Sequence, residues 1–550
     1  MSTYLCYDLK GIQHYIFQVP KLKCCIGGSR MVDVFDRETA VAVGKKFGAV
    51  SSYIYSGGGK GAFVCKDDEA VRSVKDELVR EAMKNGLTIR FGISGDYTTA
   101  ATEITETYCY QPESLEGQPC SLSGMYPTTE SDGIHPIYRE RLQVGSEHGV
   151  KSSTEKEFLQ AIRDAVPQAE DAEFFYDVDA GSPWDRNGRS GKDGAFALGN
   201  RNRWAVVCMD GNDMGEQFRQ FKESKPEPTA EAWQKWLKQM SYALDQCTCR
   251  AAKAAMIAVT KRYIEDEGDD FIGILPIRPL IVGGDDITIL IHCGYASMFV
   301  ETAIDKFNEF SKTFKDEKVP DGAKELWVGT GGELTISAGI LYAPVSLPLD
   351  MAIDYAESLL KSAKTKGRQE KKDRNLNASE ACIDWESVTE GFLTEPHIRR
   401  RSLYFMDEEI DRKVILTQRP YTRDGFRKLR EKKDELLFAP EEKWSGSRDE
   451  SEHGFRSLKK TEAVPWSIRH EIMTSLCASK PDRLAFYAKL GKNWKGISDM
   501  LREPWEKGDT KYGDAWADIK ERKELRTDLV DMILLAEEDK RMDHQTIPED

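Results

Sequence analysis

Two adjacent aspartates in a glycine turn are the first residues of this 550-residue chain whose type and spacing suggest chemistry. Gly283-Gly284-Asp285-Asp286 separates the apolar runs Arg278–Val282 and Ile287–His292, an arrangement that suits a tight hairpin because Gly and Asp tolerate positive φ. A plain structural turn is the competing reading. Neighbouring carboxylates flanked by Val and Ile repel one another, which is tolerable mainly when a cation neutralises them. A third carboxylate, Asp210, ends the apolar run Trp204–Asp210. Set beside the hairpin in one sheet, the three converge, and hard oxygen ligands of this kind suit Mg²⁺ or Mn²⁺. Two such ions can activate an attacking hydroxyl and steady a departing pyrophosphate. Asp210, Asp285 and Asp286 are therefore the candidate catalytic and metal-binding residues.

Other residues fit around this centre. Gly211-Asn212-Asp213-Met214-Gly215 opens a helix, and backbone N–H groups at such a place can cradle a triphosphate. The competing reading is an ordinary helix cap by Asn212 or Asp213. Lys364, in Ala363-Lys364-Thr365-Lys366, could set an ammonium against the phosphates, although a lone lysine more often faces solvent. Gly283 and Gly284 would let the turn backbone approach a nucleotide closely.

The elements that must position these groups occur twice. The second unit runs from strand Trp204–Asp210 through an amphipathic helix at 229–264, the hairpin, a helix near 295–314 and the strand Leu334–Tyr342. The first runs from strand Thr3–Asp8 through helical sequence to Phe17 and again at 30–47. An apolar run Ser51–Tyr55, a Gly57-Gly58-Gly59-Lys60 turn, the run Gly61–Cys65, a helix near 67–84 and the strand Leu87–Ser94 follow. Leu87-Thr-Ile-Arg-Phe-Gly-Ile93 and Leu334-Thr-Ile-Ser-Ala-Gly-Ile340 agree at five of seven positions. Strands and helices in this order give βαββαβ, the ferredoxin-like order of polymerase and cyclase palms. The expected fold is α+β with two palms. Residues 1–106 form the first palm and 107–203 a small irregular region. Residues 204–385 form the second palm and 386–550 a C-terminal helical domain. The first palm has Gly59-Lys60 where the second has Asp285-Asp286, so it is expected to be catalytically silent. Ser29 and Gly57–Gly59 could still hold an acceptor nucleotide for the second palm.

Lys and Arg total 78 against 93 Asp and Glu, a net charge of −15, which argues against a general electrostatic grip on nucleic acid. The basic stretches Arg399-Arg400-Arg401 and Arg423–Lys433, interleaved with Tyr421 and Phe426, are either RNA or protein contacts or, more commonly for such runs, solvated helix faces. Cys109, Cys120 and His135 lie in the middle region, but Cys120-Ser-Leu-Ser123 lacks the second Cys of a knuckle, which argues against zinc there. Cys247 and Cys249 diverge on a helix and read as packing residues. The 12 scattered Cys, with no basic and apolar leader at the start and no long apolar run, suggest a reduced, cytoplasmic protein that does not enter a membrane.

The combined motifs resemble the large polymerase-like subunit of type III CRISPR-Cas effector complexes. Asp8-Leu-Lys-Gly-Ile-Gln-His-Tyr-Ile-Phe17, Ile26-Gly-Gly-Ser29 and Tyr55-Ser-Gly-Gly-Gly59 look like that family's first palm. Asp210-Gly-Asn-Asp-Met-Gly215, Gly283-Gly-Asp-Asp286, Ser337-Ala-Gly-Ile340 and Ala363-Lys364 look like its second, and Gln418-Arg-Pro-Tyr-Thr422 resembles the start of its C-terminal domain. The resemblance implies an ATP-using nucleotidyltransferase that makes cyclic oligoadenylate or another adenylated messenger. It implies other complex subunits, guide RNA and target RNA as partners. Asp210, Asp285 and Asp286, with Gly211 adjoining, would hold the ions, and Lys364 and Ser337 would meet the nucleotide. No His-Asp nuclease segment precedes Thr3, so cleavage of single-stranded DNA is not expected, and Asn212 stands where an acidic residue is common. A non-catalytic RNA-binding scaffold and a stand-alone nucleotide cyclase are the alternatives.

Overall fold

The computed structural model describes residues 3–47, 53–57, 59–112, 116–146, 149–178, 195–196, 203–216, 230–268, 271, 273–313, 334–389, 394–407, 412–437, 466–476, 486, 489, 517–519 and 524–538. Gly58 and the Gly181–Gly191 loop lie outside the described residues, as does most of the stretch after Leu476.

The first palm is built from β1 (Thr3–Leu9), α1 (Ile12–Phe17), α2 (Leu22–Val34), a π-helical turn (Phe35–Thr39), α3 (Ala40–Lys46), β2 (Tyr53–Gly57), β3 (Lys60–Cys65), α4 (Asp68–Lys84) and β4 (Ile89–Ser94). Its sheet runs β2-β3-β1-β4 and is extended by β5 (Glu106–Tyr108), the strand order a βαββαβ chain requires. The helical stretch expected at 30–47 begins earlier, at Leu22, and carries the π turn in its middle. Asp67 caps α4 by accepting from the Ala70 N–H at 2.8 Å, and the next turn supplies Asp68 and Glu69, charges that favour a helix N-terminus.

After α5 (Tyr97–Thr102), the middle region contributes α6 (Pro136–Val144) and α7 (Ser153–Ala165). The second palm follows with β6 (Arg203–Gly211), α8 (Ala230–Glu267), β7 (Ile277–Gly283), β8 (Asp286–His292), α9 (Cys293–Thr313), β9 (Ile336–Pro344) and α10 (Leu349–Asp373). β10 (Cys382–Ser387) and a short strand at Tyr421–Thr422 complete a six-stranded sheet that runs β7-β8-β6-β9-β10 and ends on that strand. Its order repeats that of the first palm.

The period-two side-chain alternation of β6 sorts the core. Ala205, Val207 and Met209 pack with α8 and α9 residues, whereas Trp204, Val206 and Cys208 join a cluster that includes α10 and the first palm. Both faces of the sheet are therefore covered, and β9 is buried along almost its whole length. Burying Ile, Val and Leu on both faces, at about 25 cal/mol per Å² of apolar area, holds the strand ends in register for the acidic turn. Cys247 and Cys249 are buried in this core, as expected of packing residues.

The C-terminal region contains the expected helices at Arg423–Leu437, Trp466–Leu476 and Leu529–Glu538. It also carries a four-stranded sheet of Tyr404–Asp407, Arg412–Ile415, Glu524–Arg526 and Ala517–Ile519. Those strands are only three or four residues long, too short to show an alternation, and the two hairpins they form are joined by a pairing of Lys413–Ile415 with Glu524–Arg526, more than a hundred residues away. Among the described residues no helix is long and apolar enough to cross a membrane.

Candidate functional site

Strand register brings the three aspartates together. Asp210, near the end of β6, sits opposite Asp286 on β8 and Ser337 on β9, and the turn Gly283–Asp286 closes the adjoining hairpin. One carboxylate oxygen from each of Asp210, Asp285 and Asp286 lies within 4.8 Å of the others. Gly284 has φ +61°, a left-handed conformation that places Asp285 beside Asp210. Gly211 keeps the approach close: its N–H donates to the Asp285 carbonyl at 3.2 Å, and a Cβ there would stand 3.0 Å from that of Asp285.

Charge follows from crowding. Desolvation, then the Asp210 charge and hydrogen bond, push the Asp285 carboxyl up to about 6. Desolvation followed by the charges of Asp210 and Asp285 pushes Asp286 up to about 7. Asp286 is nonetheless open to solvent on one side, so it stands at the mouth of a recess crowded by protein elsewhere. Lys364 reaches from α10 to pair with Asp210 Oδ2. One ammonium against three carboxylates leaves negative charge over, and an all-oxygen donor set of this kind fits a hard divalent cation. Among the described residues it is the one such group of acidic, Cys or His side chains.

Some expected contacts fall elsewhere. Ser337 is fully buried and accepts the Cys382 N–H at 3.1 Å, so it ties β9 to β10 and does not face a nucleotide. Asn212 is also buried; its amide nitrogen donates to Thr335 Oγ1 at 2.9 Å, which removes it from the candidate ligands. Asp213 (φ +57°) accepts the Ser379 N–H at 3.2 Å and meets Lys371 Nζ at 3.3 Å. These contacts tie the loop to α10 and to the backbone ahead of β10. Met214 packs over Gly211, while a Cβ on Gly215 would meet nothing within 4 Å, leaving backbone exposed at the mouth. Gly283 has Arg37 and Asp245 beside it. Lys364, Arg368 and Lys371 recur four and three residues apart along α10 and all reach Asp210 or Asp213. Sequence reading singled out only the first, although helical spacing within the basic run links all three.

The first palm is the same device with different charges. Asp8 sits opposite Lys60 and Arg90 where Asp210 sits opposite Asp286 and Ser337, and Arg90 pairs with Asp8. The Leu9 N–H donates to the Gly59 carbonyl at 2.7 Å, as Gly211 does to Asp285. Protein cations thus occupy the place of the acidic cluster. The acceptor reading of this turn needs correction: Gly59 is buried and its N–H donates to Asp36 Oδ2 at 2.5 Å. Gly57 is paired with Lys60 in the hairpin. Ser29 spends its hydroxyl on the Leu280 carbonyl of β7. The Gly59 and Gly57 contacts close the turn within its own palm, the Ser29 contact ties the palms together, and no free backbone cradle is left at Gly59.

Between the palms lies a cleft of about 730 Å³, lined by Lys60, Ile12 and Asp36 on one side and by Leu280, Gly283 and Asp286 on the other. In the middle region, Cys109 is exposed, whereas Cys120 is buried and its sulfur accepts the His135 N–H at 3.3 Å. Arg400 is buried against Asp384 and Glu386, and Phe426 is a core residue. Arg423 is engaged with Asp305 and Glu301. These members of the basic stretches are structural ion pairs and packing, not a free RNA-facing row.

Two ferredoxin-like sheets, one with an acid-bearing turn and one with a basic turn, define a double-palm protein. Residues 203–375 match the family model for the Cas10/Cmr2 second palm domain. Solved structures similar to it include the Csm1–Csm4 cassette in complex with one ATP, at 12% identity over 97% of this chain and 70% of that one, TM-score 0.49. The same cassette in complex with cA4 aligns at 13% identity over 97% and 69%, TM-score 0.46. Csm1 of T. onnurineus gives the same four values. No curated protein matches the chain.

Proposed function

We propose that this protein is a metal-dependent nucleotidyltransferase that uses ATP to make a signalling nucleotide, a cyclic oligoadenylate or another adenylated messenger. We place it as the large subunit of a type III CRISPR complex gated by target RNA. The observation that carries the reading is the convergence of Asp210, Asp285 and Asp286 beside Lys364 at one end of an inter-palm cleft. The match of residues 203–375 to a Cas10/Cmr2 second palm supports it.

Asp210, Asp285 and Asp286 would hold one or two Mg²⁺ or Mn²⁺ ions, which when bound lower the pKa of an attacking hydroxyl and neutralise charge on the phosphates. The chain's own residues supply the rest. Lys364 stands where an ammonium can move from Asp210 to a phosphate oxygen, and the open backbone at Gly215 leaves room for the triphosphate. The cleft between the palms leaves room for an acceptor beside the second palm, which would convert an encounter in solution into a positioned attack. With Lys60 and Arg90 around Asp8, the second palm offers the one such acidic group among the described residues.

The test is to incubate the protein, assembled with its complex, with labelled ATP, Mn²⁺ and target RNA and to identify products by mass spectrometry. An adenylated product that disappears in the Asp285→Ala/Asp286→Ala variant, with folding retained, is expected. Undiminished synthesis by that variant overturns the assignment.

A further inference from the structure

The acidic turn of the second palm is held by a side chain that is itself held by the first palm. Asp245, on α8, accepts the Gly284 N–H at 3.2 Å with its Oδ1. One helical turn later, Thr248 donates to the Gly284 carbonyl at 2.7 Å. Both backbone groups of the residue with φ +61°, immediately before Asp285, are therefore clamped by α8. The same Asp245 Oδ1 receives Arg37 Nη2 at 3.0 Å. Arg37 is fixed in turn by Asp33, at 2.8 Å from its Nε, and Asp33 accepts from Thr154 Oγ1 of the middle region at 3.0 Å. Arg37 also lies 3.5 Å from where a Cβ on Gly283 would stand.

Arg37 belongs to the π turn Phe35–Thr39 inside the first palm's long helical segment. Such insertions of one residue often mark functional positions because they re-aim consecutive side chains. Here Asp36 is aimed at its own palm, accepting the Gly59 N–H of the first hairpin turn, while Arg37 is aimed across at Asp245. Adjacent residues thus grip both hairpin turns. The Arg37 and Asp245 side chains are only 31% and 17% exposed, so the pair is screened less than a surface ion pair.

We infer that Arg37 is a positioning residue that, through Asp245, sets the conformation of the Gly283–Gly284 turn and so couples palm-to-palm packing to the geometry of Asp285 and Asp286. Its consequence for catalysis rests on the function proposed above; its consequence for the turn does not.

The experiment uses the full chain with Arg37→Met, Arg37→Lys and Asp245→Asn, reading amide hydrogen exchange across 280–287 in metal-free protein and Mn²⁺ affinity by calorimetry. Arg37→Met is expected to speed exchange of the turn roughly tenfold, the size of one lost charge-assisted hydrogen bond, with exchange in β9 unchanged. Its Mn²⁺ dissociation constant should rise at least roughly fivefold for the same reason. Arg37→Lys, which keeps the charge, should recover part of both effects. Asp245→Asn keeps an acceptor for the Gly284 N–H but weakens the grip of Arg37, and should fall between. Turn exchange in Arg37→Met equal to the parent protein overturns the coupling, as does equal loss of protection in the turn and in β9. Should the parent bind no Mn²⁺, the metal assignment falls and the exchange measurement still decides the coupling.

Discussion

Glu155 of the middle region bridges the two palms by charge. Its carboxylate receives Arg30 of the first palm at 2.7 and 2.9 Å and Arg278 of β7 at 3.0 Å. The three side chains are only 3%, 7% and 2% exposed for Arg30, Glu155 and Arg278. Two guanidiniums near the Tyr176 ring thus share one buried counter-charge. Glu155→Gln keeps the shape and one acceptor but strands both cations. Removing one partner of a buried ion pair costs about 3–5 kcal/mol, a large part of the roughly 5–15 kcal/mol that keeps a domain folded. Burial alone would raise the Glu155 carboxyl, yet Arg278 and Arg30 hold it below the ordinary value of 4.5. A depressed carboxyl contributes stability that is present above its unfolded pKa and is lost as pH falls through its folded value. Urea unfolding followed by tryptophan fluorescence should show the full deficit of Glu155→Gln at pH 7 and convergence with the parent at pH values well below 4.5. A deficit under about 1 kcal/mol at pH 7, the size of an exposed pair, refutes the reasoning.

Three other outcomes are expected. Because Asp285 and Asp286 are raised to about 6 and about 7, Mn²⁺ affinity measured by calorimetry should climb between about pH 5.5 and 8 as protons leave the ligands. The metal-free protein should lose stability over the same rise, because the folded acids bind protons more tightly than the unfolded ones; a flat affinity profile contradicts this. Gly339→Ala would put a Cβ 2.2 Å from the Ala356 carbonyl oxygen, so α10 must shift, with a loss of roughly 1–3 kcal/mol and displaced Lys364; an unchanged melting temperature counts against it. Lys371→Met should leave Asp213 with the exposed Arg368 as its remaining basic partner on α10 and raise KM for ATP several-fold, in the range of one lost charged hydrogen bond, with kcat altered less. Steady-state kinetics decide the split.

How much of this was legible in the sequence depended on the range of the interaction. The palms, their hairpins and the aspartate convergence follow from local patterns: alternating apolar runs, glycine turns, and the repeat Leu-Thr-Ile-x-x-Gly-Ile. The repeated glycine has a packing cause at both sites, since a Cβ on Gly92 would stand 1.9 Å from the Ala100 oxygen, as Gly339 faces Ala356. Polar residues on the motif strands were harder to place. Ser337 and Asn212 lie next to the site in sequence, yet strand alternation and a loop bend turn them into core hydrogen bonds. Arg37, Asp245 and Glu155 were invisible, because an ion pair between residues 208 positions apart leaves no periodic signal. The π turn that aims Arg37 is likewise unmarked by propensity.

The register of the two sheets shows how one fold carries different charges in the two palms. Asp8, Gly59, Lys60 and Arg90 hold the places of Asp210, Asp285, Asp286 and Ser337. In the second palm, three carboxylates share one lysine and strain against one another, which is the condition for binding a cation. In the first, one carboxylate is met by Arg90 and faces Lys60, so charge balance is reached within the protein and a divalent ion would find repulsion. The glycine turns differ in the same sense. Gly59 is sealed, with a Cβ there only 1.9 Å from Ile12 Cδ1 and its N–H taken by Asp36, whereas Gly284 has open space around it and is fixed from outside its sheet by Asp245. A turn closed by its own palm serves as a rigid wall, and a turn clamped by a residue that the other palm holds can respond to how the palms pack. Asymmetry in charge therefore comes with asymmetry in support, and both concentrate adjustable chemistry on the cleft side of the second palm.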